Sequence, residues 1–224
     1  AFKESSGVPS IIARATVTTG VIRDAVLRTA RLTAAGLGLI STAGGSVDRL
    51  RFEPLSWSEL AARKAIQHRV ISFDEAAGLF GRIAAPLSGS AGTFLDVSVA
   101  LLDPPAIGQN LLGRKAFERV YASIASADSA LLIASSGLHS HRGTSYLGSG
   151  IFDRIEVIQG EHTIKFKKED YLRVDELAVA DAPQFNELSV FRLSGEAGFD
   201  PAKPFRAEIL AERPRDDGSL AAIR

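Results

Sequence analysis

The chain has no cysteine. That excludes disulfides, thiolate chemistry, iron–sulfur ligation and cysteine zinc sites within it, and it is compatible with a periplasmic setting. Methionine is missing too, and no apolar run approaches the ~20 residues a bilayer-spanning helix requires. No basic start leading into an apolar segment of signal-peptide type is present. The chain also lacks an excess of either charge: 26 Lys and Arg balance 26 Asp and Glu. No global field therefore draws nucleic acid or an anionic membrane to it. No basic stretch is interleaved with aromatics, so nucleic-acid binding is not expected.

Catalytic signatures are equally sparse. Gly148-Ser149-Gly150 lacks the pattern of a nucleophile elbow. Gly36, Gly38, Gly44 and Gly45 match neither a Walker loop nor a dinucleotide fingerprint. Asp216-Asp217-Gly218 is a polar turn too isolated for a calcium loop. His139 and His141 are one residue apart, but a pair alone does not close a metal site, so a surface or phosphate-facing role is expected. His68 is expected to end a helix as a cation near its C-terminal dipole, and His162 to flank a turn. No catalytic residue, metal set or self-contained enzyme is predicted.

What the chain does have begins at 11–31, IIARATVTTGVIRDAVLRTAR. A β-branched segment runs through threonines into an amphipathic helix. Thr18 or Thr19 would cap it, with Val21, Ile22, Ala25, Val26 and Ala30 on one face and Arg23, Asp24, Arg28 and Arg31 opposite. Two readings stand: a well-capped helix packed on a sheet, or threonine hydroxyls and free N–H groups seating a phosphate. The glycine-bearing run 34–48 then reads as a linker or surface loop.

Two capping boxes follow, Ser56 with Glu59 and Ser72 with Glu75. The first predicts a helix to about His68 with Trp57, Leu60, Ala61 and Ala65 inward; the second opens a shorter helix using Ala76, Leu79 and Phe80. Residues 93–102 alternate as a strand with Leu95, Val97, Val99 and Leu101 on one face, ended by Pro104 and Pro105. A short helix to Leu112 with Gly113 as its cap, an amphipathic helix over 114–126 and a short strand over 130–134 come next. Gly143, Gly148 and Gly150 mark a tightly turned loop. Beyond it, 154–159 and 162–166 read as a hairpin around Gly160-Glu161. The predicted register sets Val157 opposite Ile164, Ile155 opposite Phe166, and Glu156 opposite Lys165. Further strands are predicted over 188–193 and 205–212. The fold class is α+β: antiparallel sheets with helices packed on one face.

The run Gly150-Ile151-Phe152-Asp153-Arg154, its later companion Phe199-Asp200-Pro201 and the 11–31 stretch together resemble the periplasmic flavin-binding region of the NosR/NirI family, membrane proteins tied to nitrous oxide and nitrite respiration. The family motif reads roughly Asp-x-x-Ser/Thr-Gly-Ala-Thr, its last threonine esterified to the phosphate of FMN. Ala15 and Thr16 match its end, while Ser10, Ala13 and Arg14 stand where the family has Asp, Ser or Thr, and Gly. The resemblance implies FMN on Thr16, with Thr18, Thr19 and Arg14 on the phosphate side. Tyr146, in Thr144-Ser145-Tyr146, is the candidate for the ring side. It divides the chain into a flavin-domain remnant, 1–45, and a larger α+β domain, 46–224. The chain is expected to be a soluble piece of an inner-membrane protein, with strands upstream and transmembrane helices and cysteine-rich centres downstream. Expected partners are a periplasmic denitrification reductase or its maturation factors. The competing expectation is a flavin-free sensing or interaction domain that keeps the scaffold and has lost the cofactor.

Overall fold

The structure is a computed structural model, and it describes residues 4–5, 8–9, 47–80, 92–214 and 220–223. The chain divides into two compact units, Ala1–Ser46 and Val47–Arg224. In the first unit, β1 (Glu4–Ser5) and β2 (Val8–Pro9) pair antiparallel. The predicted helix within 11–31, with Arg14, Thr16, Thr18 and Thr19, lies outside the described residues, as does the Asp216-Asp217-Gly218 turn.

The second unit opens with α1 (Trp57–Ala62), whose capping box is formed as expected. The Ser56 hydroxyl accepts the Glu59 N–H at 3.3 Å and Glu59 returns the contact to the Ser56 N–H at 2.8 Å. The helix stops well short of His68. Lys64 adopts φ 58°, its N–H bonds Ala61 and that of Ala65 reaches back to Leu60, which is a Schellman stop. Trp57 and Leu60 are buried as expected, but Ala61 is exposed. His68 accordingly lies on a strand, β3 (Gln67–Ser72), with its imidazole 2.8 Å from Asp96.

From Ser72, which caps Glu75 at 3.1 Å, α2 (Phe73–Phe80) leads on, followed by β4 (Thr93–Leu101). Next come α3 (Pro105–Leu112), α4 (Arg114–Ser123) and β5 (Ser129–Ser136), with Gly113 at φ 72° between the two helices. A one-turn helix α5 (Tyr146–Ser149) precedes β6 (Ile151–Gln159) and β7 (His162–Lys167). The chain then forms β8 (Tyr171–Leu172), β9 (Glu187–Leu193), β10 (Arg206–Ile209), β11 (Ala211–Pro214) and β12 (Leu220–Ile223). The single strand predicted over 205–212 is thus two: the Leu210 N–H still bonds the Arg154 carbonyl of β6 at 2.9 Å, and from Ala211 the chain pairs with β12 instead.

The architecture is α+β and every strand pairing in it is antiparallel. A five-stranded sheet, β3-β4-β5-β9-β8, lies between a helical layer and a three-stranded sheet, β10-β6-β7. Central β5 is covered on both faces, hence its unbroken apolar run. Ala130 and Leu132 pack with Leu60, Leu111 and Val120 of the helices. Leu131 and Ile133 pack with Phe152, Ile155, Val157 and Phe166 of the small sheet.

The hairpin register holds at Val157–Ile164 and Glu156–Lys165, but Phe166 pairs with Phe152 and not with Ile155. A bulge between Phe152 and Glu156 causes the shift. Phe152 and Ile155 are three residues apart, so strict alternation would turn them to opposite faces. The inserted residues bring both into the core, where each is 1% exposed.

Candidate functional site

The loop joining β5 to α5 carries His139, His141, Thr144 and Ser145, leads into Tyr146 and is tightly tied down, whereas Arg14, Thr16, Thr18 and Thr19 lie outside the described residues. Gly137, at φ 102°, lies so close to the Phe94 carbonyl that a Cβ there would sit 2.8 Å from it. The His139 N–H bonds the same carbonyl at 2.8 Å. The His139 ring stacks on Phe94 at 5.3 Å and its Nε2 meets the Leu210 carbonyl at 3.1 Å. Burial, reinforced by the nearby Arg154 cation, lowers its pKa.

His141 does not face the surface. It is fully buried beneath the end of the five-stranded sheet. Its Nδ1 lies 2.6 Å from Ser135 Oγ on β5 and its Nε2 2.8 Å from Ser189 Oγ on β9. Glu187 Oε2 stands 3.2 Å from Nδ1. A carboxylate only accepts, so this network assigns the proton to Nδ1 and leaves Nε2 accepting from Ser189. Burial pushes the His141 pKa down to about 4, with the Glu187 charge opposing that shift. Burial works against the Glu187 charge as well. The Ser140 hydroxyl at 2.6 Å, the His141 ring and Arg142 nevertheless keep its pKa below the usual value. The pair is therefore a neutral imidazole beside an anionic carboxylate at pH 7. With both ring nitrogens committed, His141 has none to offer a metal, and the two histidines diverge. Among the described residues no group of three His, Cys, Asp or Glu side chains is placed to hold one.

The next residue carries this buried network outward. Arg142 Nε lies 3.8 Å from Glu187, and its Nη1 donates to the Tyr171 hydroxyl at 3.1 Å. Arg142 and Tyr171 then line a cavity of about 400 Å³ with Tyr146, Arg173, Asn186 and Phe185. That volume lies within the usual range for small-ligand sites. Tyr146 stacks on Phe152 at 4.4 Å with the rings 11° apart. Phe152 in turn contacts Phe191 edge-on at 4.9 Å, so the aromatic wall is anchored in the core. Thr144 and Ser145, on the same loop, are exposed. The arrangement offers guanidinium, phenol and amide donors and the Asp175 carboxylate, which pairs with Arg173 at 2.8 Å, beside a rigid aromatic face, and this suits a planar polar ligand.

Glu187, Ser135, Ser189, Arg142, Tyr171 and Arg173 carry no spacing signal in the sequence. They meet only because β5, β9 and β8 are neighbours.

Comparison with known proteins places relatives along nearly the whole chain. Protein NirI of Paracoccus denitrificans is 39% identical over 223 residues, covering 98% of this chain and 32% of its own length. Regulatory protein NosR of Pseudomonas aeruginosa is 32% identical over 224 residues, covering 95% of this chain and 31% of its own. Regulatory protein NosR of Stutzerimonas stutzeri is 32% identical over 211 residues, covering 89% and 29%. The chain thus spans about a third of the length of the relatives it matches. No family model and no solved structure matches it.

Proposed function

The chain belongs to the NosR/NirI family, and from that premise we propose that it is a periplasmic, FMN-carrying region of a membrane protein of denitrification. Its role is to relay electrons to a nitrous oxide or nitrite reductase, or to support that enzyme's maturation or expression. The observation carrying this reading is the extent of the likeness to Protein NirI. An alignment covering 98% of the chain leaves too few residues aside to exclude 14–19, where the threonines lie. The relatives' names, NirI and regulatory protein NosR, support the link to denitrification.

The donor chemistry at 14–19 fits a flavin phosphate. A threonine hydroxyl can carry a phosphoester, and the neighbouring Arg14 guanidinium suits the remaining phosphate oxygens. Thr16 is the attachment point, with Arg14, Thr18 and Thr19 beside the phosphate. The flavin supplies the one- and two-electron chemistry; the residues here bind and orient it. Tyr146, the candidate for the ring side, is held on Phe152.

A second reading, a flavin-free sensing or interaction domain, is favoured by Ser10, Ala13 and Arg14 in place of the family's Asp, Ser or Thr, and Gly. Arg14 matters most, because glycine permits a backbone approach that a side chain blocks. The two readings separate in a denaturing gel of the protein made in a periplasm-competent host that has a flavin-attaching enzyme. A fluorescent band that follows the chain supports the flavoprotein; a dark band overturns it.

A further inference from the structure

The two sheets are unequal, five strands against three. On one flank β7 covers β9 through the stacked Phe166 and Phe191 rings, 4.5 Å apart. On the other, β10 ends the small sheet and β3 ends the large one. Where a fourth strand of the small sheet would lie, there is a cleft of about 660 Å³. Val97, Val99 and Leu101 of β4 form one apolar wall, and Ala207 and Ile209 of β10 form the other.

Among the described residues the outward backbone groups along this flank have no partner. Leu210 donates to the Arg154 carbonyl, and antiparallel bonding alternates along a strand. Arg206 and Glu208, opposite Ile158 and Glu156, therefore bond β6. Ala207 and Ile209 direct their N–H and C=O groups away from it. No described residue bonds these groups. An unpaired edge beside apolar surface is a template for another strand.

The charge around the cleft selects the strand. Among the described residues, Lys64, Arg69 and Lys203 line it and no carboxylate does. Arg69 contacts Glu75 and Lys203 lies 3.3 Å from Asp200, but neither acid is among the lining residues. Lys64 has no ion pair among the described residues. We propose that β10 and its cleft receive an extended segment of a partner protein as a fourth strand of the small sheet. That segment is apolar on the face toward β4 and acidic at its ends. A second copy of this chain fits less well, because it would bring the same cations to the same cleft.

The test uses the full chain and fluorescein-labelled Glu-Val-Thr-Val-Thr-Val-Glu, followed by fluorescence anisotropy. The expected result is saturable binding at about 10–100 μM. Binding should weaken by at least about tenfold when the Glu residues are replaced by Lys or when alternate peptide nitrogens are methylated. Ala207→Pro, which removes an outward N–H and leaves the β6 bonds in place, should weaken it likewise with an unchanged melting temperature. Arg69→Glu with Lys203→Glu should reverse the preference toward the Lys peptide. No binding up to about 1 mM overturns the proposal. So does binding indifferent to methylation and to Ala207→Pro, which would mark unspecific apolar contact. A dimer in sedimentation that Ala207→Pro dissolves would give the edge to a second copy and overturn it too.

Discussion

A proton added to His141 would create a cation in a site fully closed to water, and at the scale of one residue this works against the fold in acid. The unfolded chain takes up that proton near the ordinary pKa of about 6.5, while the folded chain refuses it until about 4. The unfolded state then binds more protons between these values, so stability falls as pH drops through that window, by about 3 kcal/mol across it. Above pH 6.5 both states are neutral and the group contributes no slope. His141→Gln keeps a donor and an acceptor for Ser135 and Ser189 but cannot titrate. Urea unfolding at pH 7 and pH 4.5 should therefore show a smaller acid loss in the variant than in the parent. His139 remains in both proteins, and Glu187, whose pKa the His141 ring helps to lower, loses that contribution in the variant, which moves the comparison in the same direction. Equal losses would show that His141 is not the acid-sensitive group. None of this was legible in the sequence, because Ser189 is 48 residues from His141 and Glu187 is almost as far. The pattern His-Ser-His read as a surface pair only because its partners arrive on another strand.

Single elements were legible where their interactions are local. Ser56 and Glu59 close a capping box three residues apart, and the β6–β7 turn brings Glu156 to Lys165 within a few residues of Gly160. The errors fall where tertiary packing overrides the local pattern. The first helix stops at a Schellman turn that no glycine announces, since Lys64 holds the left-handed position at φ 58°. Lys64→Gly should remove that strain and raise stability by up to about 1 kcal/mol in chemical denaturation. A loss instead would show that Lys64 makes a compensating contact. Gly108 in α3 presents the opposite case. A Cβ there would sit 2.3 Å from the Leu102 carbonyl and 2.4 Å from the Phe117 ring, at the junction of α3, α4 and the end of β4. Gly108→Ala should force α3 off the sheet and cost about 1–3 kcal/mol, read as a lower urea midpoint. An unchanged midpoint would mean that this junction yields without strain. The bulge in β6 belongs to the same class: Phe152 and Ile155 are both apolar at odd spacing, a hint that simple alternation fails there.

At the scale of the whole molecule, the α+β class and the family were readable because they rest on features spread along the chain. Alternating strands at 93–102, the hairpin after Gly150 and the run Gly150-Ile151-Phe152-Asp153-Arg154 each carry part of that signal. The layering was not readable, since nothing local to β5 tells which of its two buried faces meets helices and which meets a second sheet. The cavity beside Tyr146 and the cleft beside β10 are consequences of that layering, and so came only with the structure. Among the described residues no helix is long and apolar enough to cross a membrane. Covalent chemistry at Thr16 is what separates a flavoprotein from an interaction domain. The most direct measurement is the intact mass of the denatured protein, made in a periplasm-competent host with a flavin-attaching enzyme and compared with Thr16→Ala. The account predicts a mass increase of one esterified FMN, accompanied by flavin absorbance, and its complete loss in the variant. An unmodified mass and a colourless protein would contradict it and leave the scaffold as an interaction domain.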